Sequence, residues 1–60
     1  MNLPDKDWFR PDEVAKHFGV HKSTVYRWIE SGKMEAVKLS KKLIRISKKA
    51  IIDFPKEIID

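Results

Sequence analysis

The sequence predicts a mainly α-helical domain with one small β-hairpin, and three observations lead to this fold class. Residues 11–31 hold two short patterns of apolar residues at helical spacing, separated by a glycine. Residues 37–46 change to an alternating pattern, which is typical of strands. Sixty residues without a cysteine fit one small domain that depends on a single apolar core. We therefore expect one domain over residues 1–60, with its core in residues 8–54 and a tail in residues 55–60.

The first helix is predicted to begin at Pro11, where the missing backbone N–H costs nothing. Glu13 stands where its carboxylate can accept from the backbone N–H of Arg10, as in a capping box. The Arg10 side chain has no oxygen to complete the box, so we expect an incomplete cap. Gly19 follows this helix and permits the positive φ of a tight turn.

The second helix is predicted to carry its buried stripe on Val25, Trp28 and Ile29, at intervals of three and four residues. Val20 is expected to fill the gap between the two helices, and Gly32 to end the second one. Two short helices joined by such a glycine turn form a helix-turn-helix. This motif offers the outer face of its second helix to the major groove of DNA.

Nearly all of the core is expected to come from the aromatic residues together with the valine, leucine and isoleucine residues. The aromatic residues assigned to it are Trp8, Phe9, Phe18, Trp28 and Phe54. A chain of this length has no room for a deep substrate pocket, and it shows no nucleophile with its base and no phosphate-cradling loop. We therefore predict neither an enzyme nor a cofactor or small-molecule substrate.

After Gly32, the alternating residues are predicted to form a two-stranded hairpin, or wing, with Ser40, Lys41 and Lys42 as its connection. Lys41 and Lys42 at the tip are placed to contact phosphates or the neighbouring minor groove. We expect Leu43 on the outer face as an ordinary exposed leucine; the alternatives are that it bends inward through a bulge or rests against the sugar-phosphate edge of DNA. The inner face is assigned Val37, Leu39, Ile44 and Ile46, and the outer face Lys38 and Arg45.

A third short helix is predicted after Ser47, whose hydroxyl can cap it, and Pro55 is expected to end it. Beyond Pro55, Ile58 and Ile59 have no obvious place in the core. They are either a docked tail or the start of a contact with another protein. The inward side chains of the third helix are expected to be Ala50, Ile51 and Phe54.

Positive charge is concentrated in the middle of the chain. Residues 14–49 contain ten basic and two acidic residues, a net charge of +8, although the whole chain carries only +4. Such a face suits a polyanion. A basic membrane-binding surface is disfavoured because no amphipathic helix joins the lysines to an apolar face. No apolar run approaches the ~20 residues that span a bilayer, and the N-terminus is not a signal peptide, so we expect a cytoplasmic protein.

His17 and His21 are four residues apart, which invites comparison with a metal site. They fall at the end of one predicted helix and the start of the next, and no cysteine or well-placed carboxylate completes a tetrahedral set. We predict no metal site.

Several short runs of the sequence, between Trp8 and Phe54, form a further pattern: E-V-A, G-V, S-T-V-Y-R-W-I-E-S-G-K, A-V-K-L, I-R-I and A-I-x-x-F. In these runs the sequence resembles the excisionase-like winged helix-turn-helix family, whose relatives include phage excisionases, AlpA-type regulators and the DNA-binding domains of the MerR group. The resemblance implies double-stranded DNA binding with the second helix in the major groove. Two caps depart from the family pattern, because His21 and Arg10 stand where serine or threonine is usual. The implied contact residues are Lys22, Ser23, Thr24, Tyr26 and Arg27, with Lys41, Lys42 and Arg45 from the wing.

Side-chain chemistry suggests individual roles within this set. Arg27 can bond guanine O6 and N7 together, or alternatively hold a phosphate. Tyr26 can pack beside a thymine methyl or bond a phosphate. Lys22 and Ser23 lie in the first turn of the helix, where backbone N–H groups already attract phosphate, and a protonated His21 can join them. Lys38 is added as a member of the basic face.

The resemblance implies a bacterial or phage-encoded protein that acts as a recombination directionality factor beside an integrase, or as a small transcriptional regulator. Further copies of the chain, side by side on DNA, are also expected partners. The alternative is a protein-interaction module that keeps the fold without DNA binding, for which Ile58 and Ile59 are the only indication.

Overall fold

Three helices and a three-stranded antiparallel sheet share one apolar core. The computed structural model describes residues 4–58, in the order β1 (Trp8–Phe9), α1 (Pro11–Phe18), α2 (Lys22–Glu30), β2 (Val37–Lys38), β3 (Ile44–Ser47) and α3 (Lys48–Ile52), followed by a 3₁₀ turn at Lys56–Ile58. β3 lies between β1 and β2 in the sheet. The expected winged helix-turn-helix is confirmed. Its sheet has one strand more than the predicted two, because residues 8–9 pair with β3.

The start of α1 is capped by half of a capping box. The backbone N–H of Arg10 donates to Glu13 Oε1 at 2.9 Å, and Lys6 Nζ donates to Glu13 Oε2 at 2.6 Å. Both donors hold the pKa of Glu13 below its ordinary value, with the Lys6 hydrogen bond the larger cause. The cap is incomplete, as expected, because a guanidinium offers only donors.

The turn between α1 and α2 depends on Gly19, which has φ = 70°. The N–H of Gly19 donates to the carbonyl of Lys16 at 3.3 Å, and the N–H of Val20 donates to the carbonyl of Ala15 at 3.0 Å. These bonds satisfy carbonyls at the end of α1 while the left-handed residue redirects the chain. The glycine turn predicted at this position is confirmed.

The core is formed where the two helices meet β3 and α3. Trp28 packs against both Phe18 and Phe54, with ring centroids 5.6 and 4.6 Å away, and the two phenylalanine rings also contact each other at 5.5 Å. Trp8 was expected in this core, but half of its surface is exposed because it lies on the other face of the sheet. Met34, which the helical and alternating patterns missed, is buried. The buried set is Phe9, Val14, Ala15, Val25, Trp28, Ile29, Met34, Ile44, Ile46, Ile51 and Phe54.

The pairing of the wing strands contradicts the predicted faces. Val37 pairs with Arg45, and Lys38 pairs with Ile44. Directly opposite residues in an antiparallel pair share a face, so Val37 lies on the outer face with Arg45, and Lys38 lies on the other. Because three residues (40–42) connect the two strands, each odd-numbered residue of one strand lies opposite an odd-numbered residue of the other. The prediction that Val37 and Leu39 share a face with Ile44 was therefore wrong.

The segment that follows β3 completes the core with Ile51, Phe54 and Ile58. Ser47 Oγ accepts the N–H of Ala50 at 3.1 Å, which confirms the predicted cap of α3. The helix ends at Ile52 and not, as was predicted, at Pro55, because the backbone N–H of Asp53 caps it; Phe54 is buried in the turn that follows. Ile58 is half-buried and packs against the core, so this part of the tail is docked. Ile59 lies outside the described residues.

Candidate nucleic-acid interface

Helix α2 presents an exposed stripe opposite its buried one. Val25, Trp28 and Ile29 are buried as predicted, which fixes the rotation of the helix on the core. With 3.6 residues per turn, the side chains on the opposite side then face solvent over the whole length of the helix. The exposed stripe consists of Lys22, Ser23, Tyr26, Arg27 and Glu30.

His21 caps α2, although the family pattern has serine there. Its Nδ1 accepts the backbone N–H of Ser23 at 3.2 Å and lies 3.0 Å from Ser23 Oγ. An accepting Nδ1 implies the tautomer with its proton on Nε2. The ring is exposed, so Nε2–H is a donor at the N-terminus of α2, where the backbone already favours an anion.

Arg27 and Thr24 occupy different positions relative to the stripe. Thr24 is half-buried and lies beside Trp28 and Ile58 in a shallow depression, at the edge of the stripe. Arg27 borders the same depression but is exposed. Among residues 4–58, no carboxylate lies within ion-pair distance of its guanidinium. The guanidinium N–H groups of Arg27 are therefore available to a ligand.

Lys38 connects the wing to α2 through an ion pair. Its Nζ donates to Glu30 Oε1 at 2.8 Å, and both side chains are exposed. Glu30 is the acidic member of the α2 stripe, so this ion pair balances a charge that would repel a phosphate. The structure thus gives Lys38 a partner in the chain itself. Its predicted contact with DNA stays a prediction.

The tip of the wing holds Lys41 and Lys42 in a turn without glycine. The N–H of Leu39 donates to the carbonyl of Leu43 at 2.8 Å, and the N–H of Leu43 donates to Ser40 Oγ at 3.2 Å. The same Leu43 N–H also lies 3.3 Å from the backbone carbonyl of Ser40, so Ser40 closes the turn with both its side chain and its backbone, without an Asn-Gly pair. Both lysines are exposed, and neither forms an ion pair within the described chain.

Arg45 lies on the outer face of the sheet. Its Nη1 donates to the backbone carbonyl of Ile44 at 2.8 Å, and its side chain lines a shallow apolar groove with Trp8, Val37 and Leu39. Arg45 was expected to share a face with Lys38, but the register places the two on opposite faces. Sequence reasoning missed this groove, although the number of connecting residues gives the correct pairing.

The described residues contain neither a cluster of three metal-binding side chains nor a helix that meets the length and hydropathy of a membrane span. His17 packs edge-on against Phe18, with ring centroids 4.9 Å apart. Its Nδ1 is buried and has no hydrogen-bond partner in the described part of the chain. His17 and His21 therefore have separate surroundings, one against an aromatic ring and the other at a helix cap.

The comparison with known proteins agrees with this geometry. The family described as "Helix-turn-helix domain" matches residues 8–56, which include β1, both helices of the motif, the wing and α3. No curated protein and no solved structure gave a significant match. Because the match covers most of the sequence, the chain belongs to the helix-turn-helix domain family.

Proposed function

We propose that this protein binds double-stranded DNA sequence-specifically, with α2 in the major groove and the wing on the adjacent backbone or minor groove. Family membership supports DNA binding through the helix-turn-helix. The observation that carries the finer proposal is the α2 stripe, in which Lys22, Tyr26 and Arg27 are exposed while the opposite side is fixed in the core. The middle of the chain adds the positive charge that a polyanion requires.

The proposed contacts divide between reading bases and holding phosphates. Arg27 is the candidate for base recognition, because a guanidinium can form two parallel hydrogen bonds with guanine. Tyr26 lies beside it on the stripe. The phosphate contacts are assigned to His21, Lys22 and Ser23 at the helix N-terminus and to Lys41 and Lys42 at the wing tip. Thr24, Lys38 and Arg45 complete the proposed set.

Substitutions at Arg27 test the base contact. A duplex selected from a random pool by the wild-type protein is compared with a mixed-sequence duplex. Arg27→Lys keeps the charge but loses the planar fork, so the preference for the selected duplex should fall by about 1 to 3 kcal/mol while the salt dependence stays the same. An unchanged preference would assign Arg27 to a phosphate instead.

Lys41→Ala tests the wing. It should weaken both duplexes alike and reduce the slope of log K against log salt by about 0.9. Arg10→Ala is the matched control, because Arg10 already has Asp12 and Glu13 as partners at 3.6 and 3.7 Å. Equal slopes for wild type and Lys41→Ala would remove the wing from the interface.

The biological role proposed is that of an excisionase-like recombination directionality factor or a small transcriptional regulator. The resemblance supports both, and an integrase or further copies of the chain are the corresponding partners. Footprinting on DNA that flanks the protein's own gene separates the two. Repeated adjacent sites near an attachment site indicate excision, and one operator at a promoter indicates regulation.

The alternative, a protein-interaction module, has less support in the structure than in the sequence. It depends on two isoleucines, Ile58 and Ile59, and the side chain of Ile58 packs against the chain's own core. Deletion of residues 58–60 tests it. The module predicts a change of oligomeric state in light scattering, whereas DNA binding through α2 predicts retained duplex affinity.

A further inference from the structure

The outer face of the wing carries apolar side chains that the rest of the described chain leaves uncovered. We call this the outer wing face and define it by Trp8, Val37, Leu39, Leu43 and Arg45. Leu39 is 64% exposed and Leu43 is 41% exposed. An apolar surface of this kind is costly to leave in water unless it has a ligand.

Leu39 and Leu43 lie next to the basic tip. The 2.8 Å hydrogen bond from Leu39 N–H to the Leu43 carbonyl continues the ladder beyond the paired residues of β2 and β3. Opposite residues in such a pair have Cβ atoms about 4.5 to 5.5 Å apart on the same face. The two leucine side chains thus form one apolar patch, and the turn between them carries Lys41 and Lys42.

The charges around these two leucines favour an anionic ligand. Lys41 and Lys42 extend from the tip, Arg45 lies on the same face, and the residues that define the face include no acidic side chain. A ligand that suits this surface has rows of negative charge beside apolar walls. The minor groove of DNA has this composition, because phosphates line its edges and deoxyribose forms its walls.

We propose that Leu39 and Leu43 contact the deoxyribose walls of the minor groove, while Lys41 and Lys42 hold the flanking phosphates. This inference rests on the proposed function and specifies how the wing binds. Paired strands lie about 4.8 Å apart, so a hairpin with its side chains is wider than a minor groove of about 6 Å. The wing therefore favours flanking steps whose groove widens easily.

Phosphate contacts and leucine contacts contribute to duplex affinity in ways that can be measured separately. Phosphate contacts release counterions and depend on salt, whereas burial of leucine against sugar does not. Leu39→Ser/Leu43→Ser should weaken binding to the selected duplex roughly tenfold, with the slope of log K against log salt unchanged. Lys41→Ala should change the slope instead.

Ile52→Ser is the matched control, because Ile52 is also 64% exposed but lies on α3, outside the wing. It should leave duplex affinity unchanged. Leu39→Met/Leu43→Met keeps an apolar surface and should bind within about twofold of wild type. Far-UV circular dichroism of all variants, together with this methionine pair, separates a lost contact from a lost fold.

Several results would overturn the inference. Wild-type affinity in Leu39→Ser/Leu43→Ser refutes the sugar contact and leaves the proposed function intact. Loss of self-association in light scattering, with unchanged duplex affinity per chain, would assign the face to a second copy. A wild-type protein that binds neither duplex would overturn the proposed function as well.

Discussion

Helix α2 and the wing hairpin both combine apolar with charged residues, but the two elements distribute their apolar side chains differently between core and solvent. In α2, every predicted apolar position is buried. In the wing, Ile44 and Ile46 are buried, while Val37 and Leu39 on the neighbouring strand are exposed. The period of a helix fixes its own faces, whereas a strand's faces depend on how it is paired.

This difference also separates stability from binding. The apolar side of α2 holds the domain together through Trp28, which contacts two aromatic rings from other parts of the chain. The outer side of the wing contributes little to the core, so its apolar residues are available to a ligand. The two regions are joined by the ion pair between Glu30 and Lys38.

The largest expected effect tests this separation directly. Trp28→Ala removes the ring that packs against both Phe18 and Phe54 and should cost about 3 to 5 kcal/mol of unfolding free energy. A domain of this size has little more than that, so the variant should be unfolded at room temperature. Circular dichroism with urea titration measures it.

Val37→Ala is the paired substitution in the wing. Val37 is 44% exposed, so its truncation should change the unfolding free energy by no more than about 0.5 kcal/mol. A loss comparable with that of a buried valine would show that the outer wing face is covered within the folded chain, and the comparison would fail.

Substitutions at His21 test the cap at the N-terminus of α2. His21→Ala removes the acceptor for the Ser23 N–H and should cost about 1 kcal/mol in urea unfolding. His21→Ser should recover that loss, because its hydroxyl makes the same bond. If His21→Ala is as stable as wild type, the imidazole does not cap α2, and its role would be limited to the ligand.

The smallest expected effect concerns the link between the two regions. A double-mutant cycle with Glu30→Gln and Lys38→Gln should give a coupling energy of about 0.5 kcal/mol or less, because both side chains are exposed, and salt should reduce it. Glu30→Gln should also strengthen duplex binding slightly by removing an acidic group from the α2 stripe. Weaker duplex binding would instead show that the pair positions the wing.

Much of the fold could be predicted from local signals. Pro11, Gly19 and Ser47 act on neighbouring backbone groups, so their roles as helix start, turn and cap are confirmed by the dihedral angles and hydrogen bonds. The exposed positions of the α2 stripe were also predicted, because helical spacing determines them once the buried stripe is known. Which of those residues contact DNA stays a prediction.

The failures are at positions that depend on distant partners. Trp8 is large and apolar, but β1 pairs with β3 in a register that turns Trp8 to the outer face and Phe9 to the core. Met34 is buried because the chain leaves α2 and crosses the core, which no periodic pattern signals.

The sequence by itself determined the two helices, the glycine turn between them, the third helix and the charge that favours a polyanion. Those features depend on residues within a few positions of one another, where spacing and side-chain chemistry are sufficient. Only the tertiary structure decided which face of the wing meets the core, that Lys38 reaches Glu30, and that Leu39 and Leu43 stay exposed beside the basic tip. The physical reason is that strand pairing joins residues across a turn, and a shift of one residue would exchange the two faces.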